Sequence, residues 1–422
     1  MLSLLSFVIA LAALFSWISS RWLKLPTTIG TMLLTVISSV ALTFVPGLHP
    51  WALHHVQQID FERLILHGML SLLLFAGAFL LEFKYLAKEK LAVGLLSVLG
   101  TLLSTVGVAA LTWWIAPLAG IPVTVLQCLI FGALISSTDP IAVLEMLRRL
   151  PTPKNLQAQL AGESLFNDGV AAVLFLALLE AARGTVLTPL HLGELLIIRT
   201  GGGILLGIVL AWFVSYLMQA IQGYHVEILL TLALALGGYA IADSLRLSAP
   251  LEAVTAGIAL RRLNMRHPLH TISHTEIDHF WTAIDEVQNA VLFVLLGCEF
   301  LIISFNPPSM IFGAASIVIV NAVRVVSVAL VLGLLRLIQR NHASSLVVLS
   351  WGGLRGGLSI ALALSVPRDL GRQWILTATY IVVLFSIVIQ GGTMDLFLRR
   401  FSHLLHKRER ARAGHSQHEH LR

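Results

Sequence analysis

The chain alternates long apolar stretches with short polar ones. Runs long enough to cross a bilayer, about 20 residues, fall near 2–20, 27–45, 62–81, 90–116, 122–147, 157–180, 195–219, 226–243, 281–304, 308–335, 343–366 and 373–398. A further run, 247–260, is short, holds Pro250 and Gly257, begins just after Arg246 and is ended by Arg261 and Arg262. The pattern predicts an all-α polytopic membrane protein. The first run, Met1 to Ser20, is as apolar as a signal peptide. It lacks a basic leading segment and a small-residue cleavage pattern, so it is read as a retained first span.

Charge decides between twelve spans and thirteen. With thirteen and the C-terminus inside, the inner segments hold Arg21, Lys24, Lys84, Lys88, Lys90, Arg148, Arg149, Lys154, Arg261, Arg262, Arg266, Arg336, Arg340 and the seven basic residues from Arg399 onward. The outer segments hold only Arg63, Arg183, Arg199, Arg246, Arg368 and Arg372. That asymmetry follows the positive-inside rule, and dropping the short run would destroy it. The reading is therefore about 13 transmembrane helices, N-terminus periplasmic and C-terminus cytoplasmic, in a bacterial inner membrane. Composition agrees: 57% of residues are apolar and 12% charged, where soluble domains carry about 25% charged residues. The net charge of +6 lies largely in the tail, which argues for topology and against nucleic-acid binding. Cys128 and Cys298 lie within apolar runs without a second ligand at metal spacing, so they read as small core residues. The loops leave no room for a soluble catalytic domain. The basic, His-rich tail from Ser402, with His415, His418 and His420, reads as disordered.

Two runs are interrupted. The fifth contains Ser136-Ser137-Thr138-Asp139-Pro140, and the twelfth contains Trp351-Gly352-Gly353-Leu354-Arg355-Gly356-Gly357. Proline removes a helix hydrogen bond and disfavours helix at the residue before it, and four glycines make a poor continuous helix. Broken backbone at membrane depth survives only where protein buries it or it lines a watery cavity. The breaks lie seven spans apart, so two six-helix halves joined by a linking seventh would be inverted relative to one another. Paired interruptions of this kind point to a transporter's substrate site. Asp139 and Arg355 are placed to neutralise half-helix ends.

The sixth run carries Gly162-Glu163-Ser164-Leu165-Phe166-Asn167-Asp168-Gly169. Glu163 and Asp168 differ by about 140° around a helix and cannot act side by side. Ser164 and Asp168 share one face, Glu163 and Asn167 another. A hard monovalent cation wants oxygen ligands. The Asp168 carboxylate, the Ser164 hydroxyl and freed carbonyls near Thr138 supply them, with Asp139 adding a carboxylate or orienting the site. A carboxylate can hold either a proton or a cation, and competition for one such group suffices to couple two fluxes. Arg324, in the eleventh run, needs a partner at membrane depth; the expected one is Glu163. Asn289 is expected to bond between helices, with lining the ion route as the alternative, while Asp243 and Glu252 read as solvated helix ends, with attraction of cations at the entrance as the alternative. His67 and Glu299 have no motif around them.

At these residues the chain resembles the NhaP-like sodium/proton antiporters of the monovalent cation:proton antiporter-1 family, relatives of the eukaryotic sodium/proton exchangers. The carriers are Ser137-Thr138-Asp139-Pro140, Gly162-Glu163-Ser164-Leu165-Phe166-Asn167-Asp168, the Arg324 span and Gly352-Gly353-Leu354-Arg355-Gly356-Gly357. The resemblance implies inverted six-helix repeats with two unwound crossing helices: one repeat over about 2–180, a linking helix over about 195–219, a second repeat over about 226–398 and a cytoplasmic tail over 399–422. It implies a homodimer in the lipid bilayer, in which a moving core carries the ion past a fixed dimerisation domain. It makes Asp168 the essential ion-binding carboxylate, with Ser164, Asp139 and the Thr138 backbone helping to bind Na⁺. Glu163 would pair with Arg324, and Asn167 would stabilise the crossing. The Asn-Asp form implies electroneutral one-for-one exchange. No cofactor is expected beyond the transported Na⁺ and H⁺. The long regulatory tail of animal exchangers is not expected here.

The favoured expectation is secondary antiport of Na⁺, or Li⁺, for H⁺. K⁺/H⁺ exchange is the near alternative, because oxygen ligands alone do not fix the ion radius. A cation channel would show cation flux independent of protons. An intramembrane protease would pair Asp139 with Asp168 and cleave a substrate, but it gives no role to Glu163, Arg324 or the glycine-rich span.

Overall fold

The computed structural model describes residues 2–23, 27–45, 64–140, 143–144, 146–147, 152–184, 189–220, 223–264, 271–301, 306–338, 346–394 and 397. The expectation of a disordered tail over 399–422 lies outside the described residues, as do Lys24, Arg63, Arg148, Arg149, Arg266 and Arg340. Among the described residues every regular element is helical. In chain order these are α1 (Leu2–Ile18), α2 (Thr27–Thr43), α3 (Leu70–Phe79), α4 (Phe83–Lys88), α5 (Lys90–Leu95), α6 (Thr101–Ile115), α7 (Val125–Ser136), α8 (Lys154–Ala182), α9 (Pro189–Gln219), α10 (Tyr224–Ser244), α11 (Ala249–Asn264), α12 (Thr271–Glu299), α13 (Pro307–Ile338), α14 (Leu346–Trp351), α15 (Gly357–Leu364) and α16 (Arg372–Phe385). Wider π-type turns precede α3 at Leu64–Met69, join α5 to α6 at Leu96–Gly100 and follow α16 at Ser386–Gly391.

Each of the thirteen apolar runs coincides with one or more of these elements, and the short run 247–260 is α11. Eight helices among the described residues are long and apolar enough to cross a membrane by length and composition. The protein is a multi-pass membrane protein. Local signals set helix ends: Thr124 and Gln127 form a reciprocal capping box at the start of α7, which satisfies two backbone donors that the first turn leaves free. Prolines open α9 and α13, where a missing N–H costs nothing.

Burial follows the solvent. Outward faces are apolar, with Trp212 and Leu205 on α9, Leu229 on α10 and Val318 and Val325 on α13 all exposed. Inward faces use small residues to bring backbones close, as helices in lipid do. Gly257 of α11 is one: a Cβ there would lie 2.8 Å from the Phe75 carbonyl of α3.

Two groups of helices result. In the first, α9 and α10 pack on α11, α11 on α3, and α12 on α2 and α3. In the second, α6 and α8 pack on α7, and α13 packs on α6 and α16. One end of the molecule gathers charged residues from distant positions. Lys154 pairs with Glu82 at 2.6 Å, Arg262 lies 4.8 Å from the Phe83 ring centre, and Arg261 pairs with Asp278 of α12.

Candidate functional site

The two interrupted helices meet in the second group. α7 stops at Ser136, and Ser137 to Pro140 have no regular structure before helical hydrogen bonding resumes with the Leu144 N–H donating to the Pro140 carbonyl at 2.7 Å. α14 stops at Trp351, and the chain is unwound until α15 begins. The unwound segments are joined by the Asp139 N–H, which donates to the Leu354 carbonyl at 2.7 Å. Opening a helix at this depth strands carbonyls at its C-terminal end, which also carries partial negative charge. Arg355 answers both: its Nη1 donates to the Ser136 carbonyl at 2.8 Å and to the Ser137 carbonyl at 2.9 Å. Arg324 does the same for α14, with Nη2 donating to the Leu349 carbonyl at 3.0 Å.

The glycines of the twelfth run are explained by what surrounds them. A Cβ on Gly353 would lie 2.7 Å from Arg324 Nε. One on Gly356, which caps α15, would run into the Asp139 carboxylate. That places Asp139 at the positive end of α15, where a carboxylate is favoured.

α8 passes behind the crossing and supplies four polar side chains to it. Asn167 is buried and holds Thr138 from both sides: its Nδ2 donates to Thr138 Oγ1 at 2.6 Å, and its Oδ1 accepts from the Thr138 N–H at 3.4 Å. The Ser164 hydroxyl donates to the Thr138 carbonyl. Glu163, 1% exposed, meets Arg324, 4% exposed, with Oε1 and Nη1 2.5 Å apart. Asp168, on the Ser164 face, accepts at Oδ1 from the Ser137 hydroxyl at 2.5 Å. It is only half-buried.

Asp168 is half-buried because it borders a cavity of about 570 Å³ between the two helix groups. Ser137, Asp139, Ser164 and Asp168 form its wall on the crossing side, and Asp285, Glu286 and Asn289 of α12 face it from the other group. The cavity extends to Ser16, Thr27 and Leu81. These lie at the end of α1, the start of α2 and just past α3, so it runs toward the face that carries Lys154 and Glu82.

The structure thus gathers Asp168, Ser164, Thr138, Asp139, Asn167, Glu163, Arg324 and Arg355 around one crossing, although they come from four separate stretches of chain. Sequence reasoning passed over Ser137 as a ligand. It also missed a buried relay in which the Arg355 N–H donates to Ser386 Oγ at 2.9 Å, Ser386 donates to Gln390 Oε1 at 2.5 Å, and Gln390 Nε2 donates to Asn321 Oδ1 at 2.6 Å. The available signal was two amides, Asn321 and Gln390, inside apolar runs. Two expectations are corrected. Glu252 is no solvated helix end: it is 0% exposed, because α11 packs it against Gly238 of α10. Asn289 bonds within its own helix, Nδ2 to Asp285 Oδ1 at 3.2 Å, and lines the cavity.

Comparison with known proteins gives a consistent picture. The profile of the family described as sodium/hydrogen exchanger, transmembrane, matches residues 8–400. The chain is 38% identical over 414 residues to the Na⁺/H⁺ antiporter NhaP of Pseudomonas aeruginosa, covering 95% of this chain and 97% of that protein. It is 31% identical to the Na⁺/H⁺ antiporter NhaH of Halobacillus dabanensis, covering 90% and 93%. Among solved structures, the sodium proton antiporter MjNhaP1 from Methanocaldococcus jannaschii superposes with a TM-score of 0.73 at 21% identity, covering 94% of this chain and 97% of that one. That likeness is one of fold.

Proposed function

The chain belongs to the sodium/hydrogen exchanger family, and from that premise we propose that it exchanges Na⁺, with Li⁺ as an alternative, for H⁺ across a bacterial inner membrane, cation and proton competing for Asp168. The family is one of transporters, not enzymes, and the protease reading falls with that. The observation that carries the proposal is the position of Asp168: a carboxylate on a cavity wall, at an unwound crossing, held by a neutral hydroxyl.

In this reading the ligands are Asp168, the Ser164 hydroxyl, Asp139 and the Thr138 carbonyl. The Ser137 and Ser164 hydroxyls now donate to Asp168 and to Thr138. When a cation enters, the Ser164 hydroxyl turns to present a lone pair to it and frees the Thr138 carbonyl, while the Ser137 hydroxyl releases Asp168. When a proton enters, it binds the Asp168 carboxylate and the hydroxyls keep their present contacts. Either ligand satisfies the carboxylate, so the crossing moves loaded in both directions.

Charge supports one-for-one exchange. Arg324 and Arg355 bring two positive charges to the crossing, and Glu163, Asp139 and Asp168 bring three negative ones. One proton or one monovalent cation closes the balance, and Asn167 adds no further titrating group. Moving either loaded form then carries no net charge, which matters because an uncompensated charge at membrane depth is expensive. The cavity lies on the side that the basic-residue asymmetry assigns to the cytoplasm, so this state faces inward. A homodimer with inverted repeats, N-terminus outside, completes the reading.

The test uses everted membrane vesicles with a respiration-driven pH gradient. Addition of Na⁺ or Li⁺ collapses the gradient in the native protein, and Asp168→Asn, inserted to the same level, shows no collapse. Collapse by K⁺ at equal or lower concentration would replace Na⁺/H⁺ with K⁺/H⁺ exchange. Collapse without any added cation would make the protein a proton-permeable channel.

A further inference from the structure

α12 carries acidic residues at two depths along the seam between the helix groups. Asp285 and Glu286 border the open cavity. Glu299, the last residue of the helix, lies 14 positions on, about 20 Å along the axis at 1.5 Å per residue. The cavity lining on α12 ends at Leu292, so Glu299 sits within the closed part of the seam, toward the opposite face from Lys154 and Glu82. α12 is tied to α2 there, the Ser39 hydroxyl donating to the Gly297 carbonyl at 3.0 Å.

Glu299 is 1% exposed, and neither carboxylate oxygen has a hydrogen-bond partner among the described residues. Tyr380 of α16, in the other helix group, is also 1% exposed, and its hydroxyl lacks a partner in the same sense. The two are neighbours across the seam: the Phe300 and Tyr380 rings lie 6.0 Å apart, and Glu299 acts electrostatically on Tyr380. Arg372, at the start of α16, lies within electrostatic reach of Glu299 but is not among the ion pairs of the described residues. Glu163, by contrast, is held by Arg324, and Glu252, likewise without a hydrogen-bond partner among the described residues, lies within one helix group against Gly238 of α10, away from the seam. A carboxylate and a phenol left bare where two moving bodies meet are fitted to a state in which the seam is open and wet.

Resting on the exchange reading above, we propose that Glu299 and the Tyr380 hydroxyl form the outer access site for the cation. When the seam closes on the cytoplasmic side and opens on the other, they become the oxygen ligands that collect Na⁺ ahead of Asp168. Asp285 and Glu286 already flank the route on the cytoplasmic side. Arg372 beside the site keeps the cation from being held there, so it passes on.

The test measures the apparent KM for Na⁺ separately from each face, in right-side-out and everted vesicles holding the native protein, Glu299→Gln and Asp168→Asn. Glu299→Gln raises KM by about tenfold on the face away from the cavity, the loss of one charged contact, and leaves the cavity-side KM within about twofold. An equal rise on both faces, or no rise on either, overturns the inference while the exchange reading stands. Native protein without Na⁺-driven proton movement, or Asp168→Asn with native exchange, overturns the exchange reading and this inference with it. Should Glu299→Gln fail to insert, Tyr380→Phe and Glu299→Asp are read by the same criterion, a smaller rise confined to the same face.

Discussion

Glu163 and Asp168 are five residues apart on α8 and meet opposite surroundings. Glu163 turns into the sealed side of the crossing, where Arg324 lies 2.5 Å away and is itself fixed by the Leu349 carbonyl. Asp168 turns the other way, to the cavity, and its hydrogen bond comes from a neutral hydroxyl, Ser137. A carboxylate matched by a permanent charge in a dry site has no reason to change state when an ion arrives. One matched only by a rotatable hydroxyl does. The roughly 140° between positions five apart on a helix separates a charge that holds the crossing together from a charge free to exchange.

The sharpest way to break this contrast is to neutralise each carboxylate in turn. Glu163→Gln strands the Arg324 guanidinium in a buried site and lowers stability by about 3–5 kcal/mol. Asp168→Asn keeps a hydrogen bond from Ser137 and changes stability by less than about 1 kcal/mol, yet it removes exchange. Thermal unfolding in detergent, read beside vesicle transport, separates the two. Adding Arg324→Gln to Glu163→Gln recovers part of the lost stability, because paired residues are not additive. Equal unfolding temperatures for Glu163→Gln and Asp168→Asn would dissolve the division of labour.

Much of this contrast was legible in the chain. Charged residues are so costly in lipid that Glu163 and Arg324 had few partners to choose from, and the pair is present. Pro140 and the glycines around Arg355 mark the broken helices because their backbone chemistry acts locally. The short run 247–260, rescued only by charge asymmetry, is a full helix, α11. What stayed hidden depends on contacts between distant positions. Ser137 and Thr138 are equal as sequence, and only the direction of the unwound turn sends one hydroxyl to Asp168 and the other to Asn167. Glu252 looked solvated because it lies near a helix start; α10 happens to offer a glycine, Gly238, that lets the carboxylate sink in. The relay from Arg355 to Asn321 joins residues 69 positions apart at its last step, which no local pattern encodes.

The glycines offer a second comparison of the same two sides. Gly353→Ala pushes a methyl group against the Arg324 guanidinium, and Gly356→Ala pushes one against Asp139. Overpacking of this kind costs about 1–3 kcal/mol, but the consequences should differ. Gly353→Ala disturbs the Glu163 side and appears as a lower unfolding temperature, with the KM for Na⁺ little changed. Gly356→Ala moves a proposed ligand and appears as a higher KM. If both variants shift the same quantity, the crossing behaves as one unit, and its two sides cannot be assigned separate tasks.

The smallest expected effect falls on Ser137. Its hydroxyl is the neutral partner that distinguishes Asp168 from Glu163, and Ser137→Ala removes it without touching the charges. One hydrogen bond to a carboxylate is worth about 1.5–3 kcal/mol when charge is involved. The cation compensates for much of it in the loaded state, so the empty site loses more than the loaded one and the KM for Na⁺ falls by about fivefold, close to 1 kcal/mol. Competition supplies a second readout. If proton and cation share Asp168, the KM for Na⁺ in the native protein rises by about tenfold for each unit that pH falls, once the carboxylate is mostly protonated, with the maximal rate unchanged. Ser137→Ala keeps that slope, because the competing group is still present. A variant that flattens the slope would mean that the proton binds elsewhere and that Ser137, not Asp168 alone, determines where the two ions meet.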